Sequence, residues 1–325
     1  MLSFEDLFRQ EAVPVFLAPM ESVSNRCFRL ICKEYGADMV YTEFVSSEAL
    51  RRGVERSQTK MTFSDAERPI GIQLFGNNAE ALVEAAQLAQ ELQPDVIDIN
   101  WGCPVKKVAS KGGGSGILND IPRMVEITKA VVKSCRLPVS VKTRLGYDEE
   151  HKQIVEIAEQ LQDVGIAALS IHGRTRSQMY RGEADWTLIA AVKNNPRMHI
   201  PIIGNGDICS AEIALNRLRE TGVDGLMIGR GAMGNPWLIR DVKRALRGES
   251  PLPSPSVAER VEVCRRQVLE TVELMGERAG ILEMRKLYAN YFRGIDFFKP
   301  YRVRLVMAEH TAEIFNILSE IKRTF

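Results

Sequence analysis

Eight short apolar runs recur along the chain at intervals that leave room for one helix between each pair. They begin at residues 15, 39, 70, 96, 139, 168, 200 and 225 and read VFLAPM, MVYTE, IGIQLF, VIDIN, VSVKTR, ALSIHG, IPIIGN and GLMIG. Such nearly unbroken β-branched runs suit strands buried on both faces. Successive starts lie 24 to 43 residues apart, the length of one strand–helix unit. Between them, residues 79–92, 121–135, 152–164 and 211–220 repeat apolar side chains at helical spacing. Asn78, Asp120 and Ser210 stand where N-caps belong, and Gly165 and Gly222 where a left-handed residue ends a helix. Eight units in about 250 residues predict an α/β fold, the (β/α)8 TIM barrel. A doubly wound open sheet is the runner-up, but it seldom needs eight regular units.

The pattern changes after residue 247. Residues 248–256 (GESPLPSPS) carry three prolines and read as a linker. Beyond them only helical patterns remain, at 257–275, 282–292 and 303–322, which predict a small all-α C-terminal bundle. The expected organisation is therefore a catalytic barrel over 1–247, a linker over 248–256 and a helical domain over 257–325. No run of about 18 uncharged apolar residues predicts a membrane span, and the N-terminus lacks the apolar core of an export signal. The six cysteines include no C-x-x-C pair, so neither a metal site nor a disulfide framework is expected. Reduced thiols and a cytoplasmic location follow; a monomer is expected.

In a barrel of this kind the chemistry sits at the C-terminal ends of the strands. Here those ends supply Met20, Glu43, Gln73, Asn100, Lys142, Arg144, His172, Arg174, Asn205 and Asp207. A packed core would not choose these types, because an unpaired buried polar group is costly. They point to a polar ligand. Strands seven and eight run into GNGDI at 204–208 and IGRGA at 228–232, where glycines let backbone N–H groups approach a phosphate and Arg230 adds a cationic fork.

The longest interval follows the fourth strand and contains Asn100-Trp101-Gly102-Cys103-Pro104 and then a glycine run at 112–114. A thiol at the barrel mouth serves as nucleophile or general acid, and the residues alone do not separate the two. The glycines suit a mobile lid or a surface of close approach. They do not form a Walker A loop.

Taken in order, A-P-M at 18–20, T-E-F at 42–44, Q-L-F-G at 73–76, D-I-N-W-G-C-P at 98–104 and V-K-T-R at 141–144 continue through I-H-G-R-T-R at 171–176, N-G-D-I at 205–208 and M-I-G-R-G-A at 227–232. This series resembles the bacterial tRNA-dihydrouridine synthases. The resemblance implies bound FMN, NADPH as reductant, and reduction of a D-loop uridine in tRNA. It implies that Ala18, Pro19 and Met20 pack the flavin, that Gln73, Lys142 and His172 contact its ring, and that Asn205, Gly206, Asp207, Gly229 and Arg230 hold its phosphate. Cys103 becomes the general acid, with Asn100 and Arg144 orienting the uracil. Trp101 is bulkier than the residue usual in the family at that point. A flavin barrel acting on a free pyrimidine, and a non-catalytic RNA-binding barrel, are the competing readings.

The whole chain has 43 Lys and Arg against 42 Asp and Glu, which argues against a broadly basic nucleic-acid binder. Residues 285–304 break that balance with six cations, one acid and six interleaved aromatics. The aromatics suit a helical core; the cations suit RNA phosphates. Arg285 and Lys286 in the tail, with Lys106 and Lys107 beside Cys103, are therefore expected to contact tRNA.

Overall fold

The computed structural model describes residues 3–9 and 13–325. Its strands are β1 (Val15–Leu17), β2 (Val40–Tyr41), β3 (Val45–Ser46), β4 (Ile70–Phe75), β5 (Val96–Asn100), β6 (Val139–Arg144), β7 (Ala168–His172), β8 (Ile202–Asn205) and β9 (Gly225–Ile228). All pair in parallel, in the order β1-β9-β8-β7-β6-β5-β4-β2. A parallel bridge between Phe16 and Met39 closes the ring. The expected barrel is present, with β3 as a short addition that pairs only with the end of β4.

Three strands are shorter than their apolar runs by two residues or more. The first stops at Leu17, because Ala18 still donates to the Ile228 carbonyl but Pro19 has no N–H to give. The strand expected from 200 begins at Ile202, after Pro201. The second keeps only Val40–Tyr41, yet Thr42 continues its ladder by donating to Gly71. The helix signals hold closely: Asn78, Asp120 and Ser210 each accept an N–H from three residues on, and Gly222 closes its helix at φ 67°.

Pleat alternation decides which side chains enter the barrel. Phe16, Met39, Tyr41, Val96, Ala168 and Ile203 form its lower layer and pack with Phe4 and with Leu7 of the short helix Glu5–Arg9. Gly71 belongs to this interior: a Cβ there would lie 2.5 Å from the Tyr41 ring. The next residues of the same parity are polar. Gln73 pairs in register with Asp98, Asp98 with Ser140, and Asn100 with Lys142. Arg144 pairs with His172, and His172 with Asn205. The interior thus changes from apolar to polar along the strands, and the polar end is the site.

One ion pair spans the closure. Lys243, on the helix Trp237–Leu246, donates to both oxygens of Asp38 at 2.8 and 2.6 Å, and Asp38 also accepts the Val15 N–H at 2.7 Å.

The tail is more broken than its periodicity predicts. Val257–Met275 is one helix, but the next pattern divides into Glu277–Met284 and Tyr288–Tyr291, and the last into Lys299–Met307 and Thr311–Thr324. Pro300 starts the first of the final pair. The break at 308–310 is fixed from outside: Arg285 donates to the Ala308 carbonyl at 3.3 Å, and Glu277 accepts the Thr311 N–H at 2.8 Å. Tyr288, Tyr291, Phe292 and Phe298 are buried, as a core reading of the aromatics expects. An edge-to-face contact of Trp237 with Tyr291 joins that core to the barrel's last helix. Among the described residues no helix is long and apolar enough to cross a membrane.

Candidate active site

A cavity of about 720 Å³ opens at the C-terminal end of the barrel. Of the expected site residues it gathers Ala18, Pro19, Met20, Asn100, Cys103, Lys142, Arg144, His172, Asn205, Gly206, Asp207, Gly229 and Arg230. These come from most strands of the ring, so their meeting is a consequence of closure rather than of any local segment.

The thiol is held by its backbone. Asn100 Oδ1 accepts the N–H groups of Gly102 at 2.9 Å and Cys103 at 2.8 Å. The Asn100 amide in turn donates to Gln73 Oε1 at 2.8 Å, and Gln73 donates to Asp98 at 2.6 Å. Ser140 gives Asp98 its second bond at 2.5 Å. Both side-chain heteroatoms of Gln73 are thus engaged within the barrel, and the residue is buried and does not line the cavity. Its side chain takes its place in the chain of amides beneath Cys103.

The glycine run packs against the same residue. Gly114 has φ 52°, and a Cβ there would lie 2.8 Å from the Cys103 carbonyl. That carbonyl accepts from the Ser115 N–H at 3.0 Å and hydroxyl at 2.9 Å. Of the two roles open to the glycines, close approach is the one realised here. Trp101 points away from the cavity. It is fully buried and donates to Thr128 on the helix Ile121–Ser134 at 3.0 Å. Its bulk fills the space behind the loop and leaves substrate access untouched.

The electrostatics separate the groups. Burial pushes the Cys103 thiol above its ordinary value, so it is protonated at neutral pH, while Arg144 and Lys142 pull the other way. Burial and the Arg144 guanidinium bring Lys142 down to about 8. Its ammonium donates to Asn205 at 3.1 Å. Burial and four surrounding cations hold His172 well below 6.5, hence neutral. Its Nε2 lies 3.4 Å from Arg174, which can only donate, so Nε2 is the acceptor and Nδ1 carries the proton.

Arg144 donates to the Gly102 carbonyl at 2.7 Å and to the carbonyls of Thr175 and Met179 at 3.0 and 2.8 Å. It ties the Cys103 loop to the loop after β7. Asp207 is bidentate with Arg174 at 2.9 and 2.7 Å and accepts from Arg230 at 3.1 Å. A carboxylate so engaged orients the two guanidiniums at the cavity wall.

Other expected contacts lie elsewhere. Lys106 is exposed on a four-residue helix and does not line the cavity. The Lys107 side chain lies outside the described residues. Arg285 is half-buried, with its Nε unpartnered in the interior and its fork on Ala308, so it joins tail helices rather than presenting a cation to solvent. Lys286 pairs with Glu283 at 3.3 Å. The tail residue that does reach the cavity is Arg293. Sequence reasoning also missed Tyr180, a half-exposed lining residue whose ring lies 4.8 Å from the Arg230 guanidinium and 5.6 Å from that of Arg144. A tyrosine in a loop carries no periodic signal by which to find it.

The cavity suits a flavin phosphate and ring. A Cβ on Gly229 would lie 3.5 Å from Ala18 and 3.7 Å from the Met20 sulfur, so the glycine leaves open a cradle above the 18–20 segment. Arg230, Lys142 and neutral His172 supply donors around it.

A family model described as Dihydrouridine synthase (Dus) matches residues 16–324. The chain belongs to the dihydrouridine synthase family. It is 38% identical over 304 residues to a protein named tRNA-dihydrouridine synthase B from Shewanella oneidensis, covering 94% of each chain. It is 40% identical over 278 residues to a probable tRNA-dihydrouridine synthase 1 from Synechocystis sp., covering 85% of this chain and 77% of that one. Among solved structures, histamine dehydrogenase from Rhizobium sp. 4-9 shares the fold at a TM-score of 0.56 and 12% identity, over 80% of this chain and 50% of that one.

Proposed function

We propose that this protein reduces a D-loop uridine of tRNA to 5,6-dihydrouridine, with FMN in the barrel mouth and NADPH as reductant. The observation that carries the reading is a buried, protonated Cys103 thiol lining one cavity with Lys142, His172, Asn205 and Arg230.

FMN, when bound, supplies the hydride that adds at C6 of the uracil. Ala18, Pro19 and Met20 would support its ring, Lys142 and His172 would meet the polar edge, and Arg230 with Gly206 and Gly229 would hold its phosphate. Cys103 holds the proton that C5 takes up, so one hydride and one proton complete the reduction of the C5–C6 double bond. The thiolate left behind is stabilised by Arg144 and Lys142, the two cations that already favour it. Asn100 holds the loop that carries the acid, and Arg144 fixes that loop from the other side. A uracil inside folded tRNA must first leave its stack. Tyr180 and Arg293 at the cavity edge supply a planar face and a cation for that extruded nucleotide.

We further propose that the chain acts in the cytoplasm as a monomer and needs no metal. The test maps dihydrouridine in tRNA from cells lacking the protein, with add-back of wild type and Cys103→Ala. Wild type should restore one D-loop site, and Cys103→Ala should bind flavin and tRNA but restore little. Full restoration by the variant removes the general-acid assignment. Turnover of free uracil without tRNA favours the small-molecule reading.

A further inference from the structure

A second groove opens beside the active cavity and shares two of its walls, Glu21 and Phe44. Its volume is about 850 Å³, larger than the cavity itself. One side is formed by the two short helices Ser47–Arg51 and Glu55–Lys60, with the turn between them. The other is formed by Val108, Lys111 and Gly113, from the loop that carries Cys103.

The groove is cationic and has an aromatic wall. Arg52, Arg56, Lys60 and Lys111 face it, against Glu21 and Glu48. Two of these cations are already engaged: Lys60 by Glu21 at 2.5 Å and Arg52 by Glu48 at 3.9 Å. Arg56 and Lys111 are exposed and, among the described residues, have no acidic partner within ion-pair distance. Phe44 meets Phe75 edge to face at 5.2 Å, and both rings are only half-buried. Unengaged cations beside an aromatic surface are the two halves of nucleotide recognition, phosphate charge and base stacking. Continuity with the cavity through Phe44 places that surface next to whatever the cavity holds.

We propose that this groove is a second nucleotide subsite, with the base on the Phe44–Phe75 wall and the phosphate at Arg56 and Lys111, filled while the active cavity holds its own ligand. This rests on the reading given under Proposed function. The nucleoside phosphate has two sources there: the RNA nucleotide next to the extruded uridine, or the adenylate half of the reductant.

The experiment uses the flavin-loaded full chain with Arg56→Gln, Lys111→Gln and the double variant, all on exposed side chains. It measures tRNA affinity across a salt series and, without RNA, the anaerobic rate of flavin reduction by NADPH. If the occupant is RNA, the double variant weakens tRNA binding and lowers the slope of log K against log salt by about 1 per cation removed. Flavin reduction is then unchanged. If it is the reductant, flavin reduction slows at low NADPH and tRNA binding is unchanged. Either result supports the subsite. Wild-type activity with both measurements unchanged in the double variant overturns it alone. A wild type that forms no dihydrouridine overturns the functional reading and the subsite with it.

Discussion

The side chain of Asn100 accepts the backbone N–H of Cys103 at 2.8 Å. The thiol's position is therefore set by an amide at the end of β5, itself held by Gln73, which Asp98 holds in turn.

Asn100→Ala should release that loop without removing the thiol. A displacement of about 1 Å at a reacting group costs on the order of 100-fold in rate. We expect a loss of that order in dihydrouridine formation, with flavin content retained. Single-turnover kinetics with pre-reduced enzyme check it; an unimpaired rate removes Asn100 from the positioning role.

The alkaline side of the pH profile should belong to Lys142. Burial and Arg144 bring it down to about 8, while Asp98 works in the opposite direction. Burial pushes Cys103 up, so the thiol keeps its proton where Lys142 loses its own. Asp98 is itself pushed up to about 6 by burial, and it is a carboxylate above that. Activity should fall as pH rises through about 8. Asp98→Asn removes the charge that holds the Lys142 proton, so the limb should move to lower pH. Rate profiles across roughly pH 6 to 10 read the shift; movement to higher pH would contradict the assignment.

Trp101 should matter for stability and not for substrate access. Fully buried, with its Nε1 donating to Thr128, it fits the class of core truncations that cost ~3–5 kcal/mol. Trp101→Ala should lower the free energy of unfolding by that amount, read from denaturant titration, while Trp101→Phe recovers most of it. A Trp101→Ala protein of normal stability and altered substrate preference would reverse this view.

Phe297 is 91% exposed at φ 56°, between the cations Arg293 and Lys299 of the tail. A bare aromatic so placed is available to a base, at ~1–3 kcal/mol per stack. Phe297→Ala should weaken tRNA binding by about fivefold or more with no change in melting temperature. Equal affinity in wild type and variant would remove the ring from the RNA face.

The barrel and its polar rim were legible because pleat parity is a sequence property. Val96, Asp98 and Asn100 alternate with Ile97 and Ile99, and closure needs only that each strand keep its phase. What a side chain touches across the ring was not legible. Gln73 and Asp207 have the polarity of ligand contacts, yet Asp98 and Asn100 engage one and Arg174 and Arg230 the other. Arg285 looked like part of a cationic track because charge counts ignore direction; its fork turns inward to Ala308. Arg293, eight residues further on, reaches the cavity because of how the tail packs on the last barrel helix.

The contact between Asp38 and Lys243 joins residues 205 positions apart. A chain emerging from its N-terminus therefore presents Asp38, already bound to Val15, long before its counter-charge exists. Until β9 is made the first strand lacks that neighbour, and until the final barrel helix follows it lacks the ion pair as well. The ring therefore closes late in synthesis, and any product ending before β9 lacks its seam together with the Gly229–Arg230 wall of the cavity.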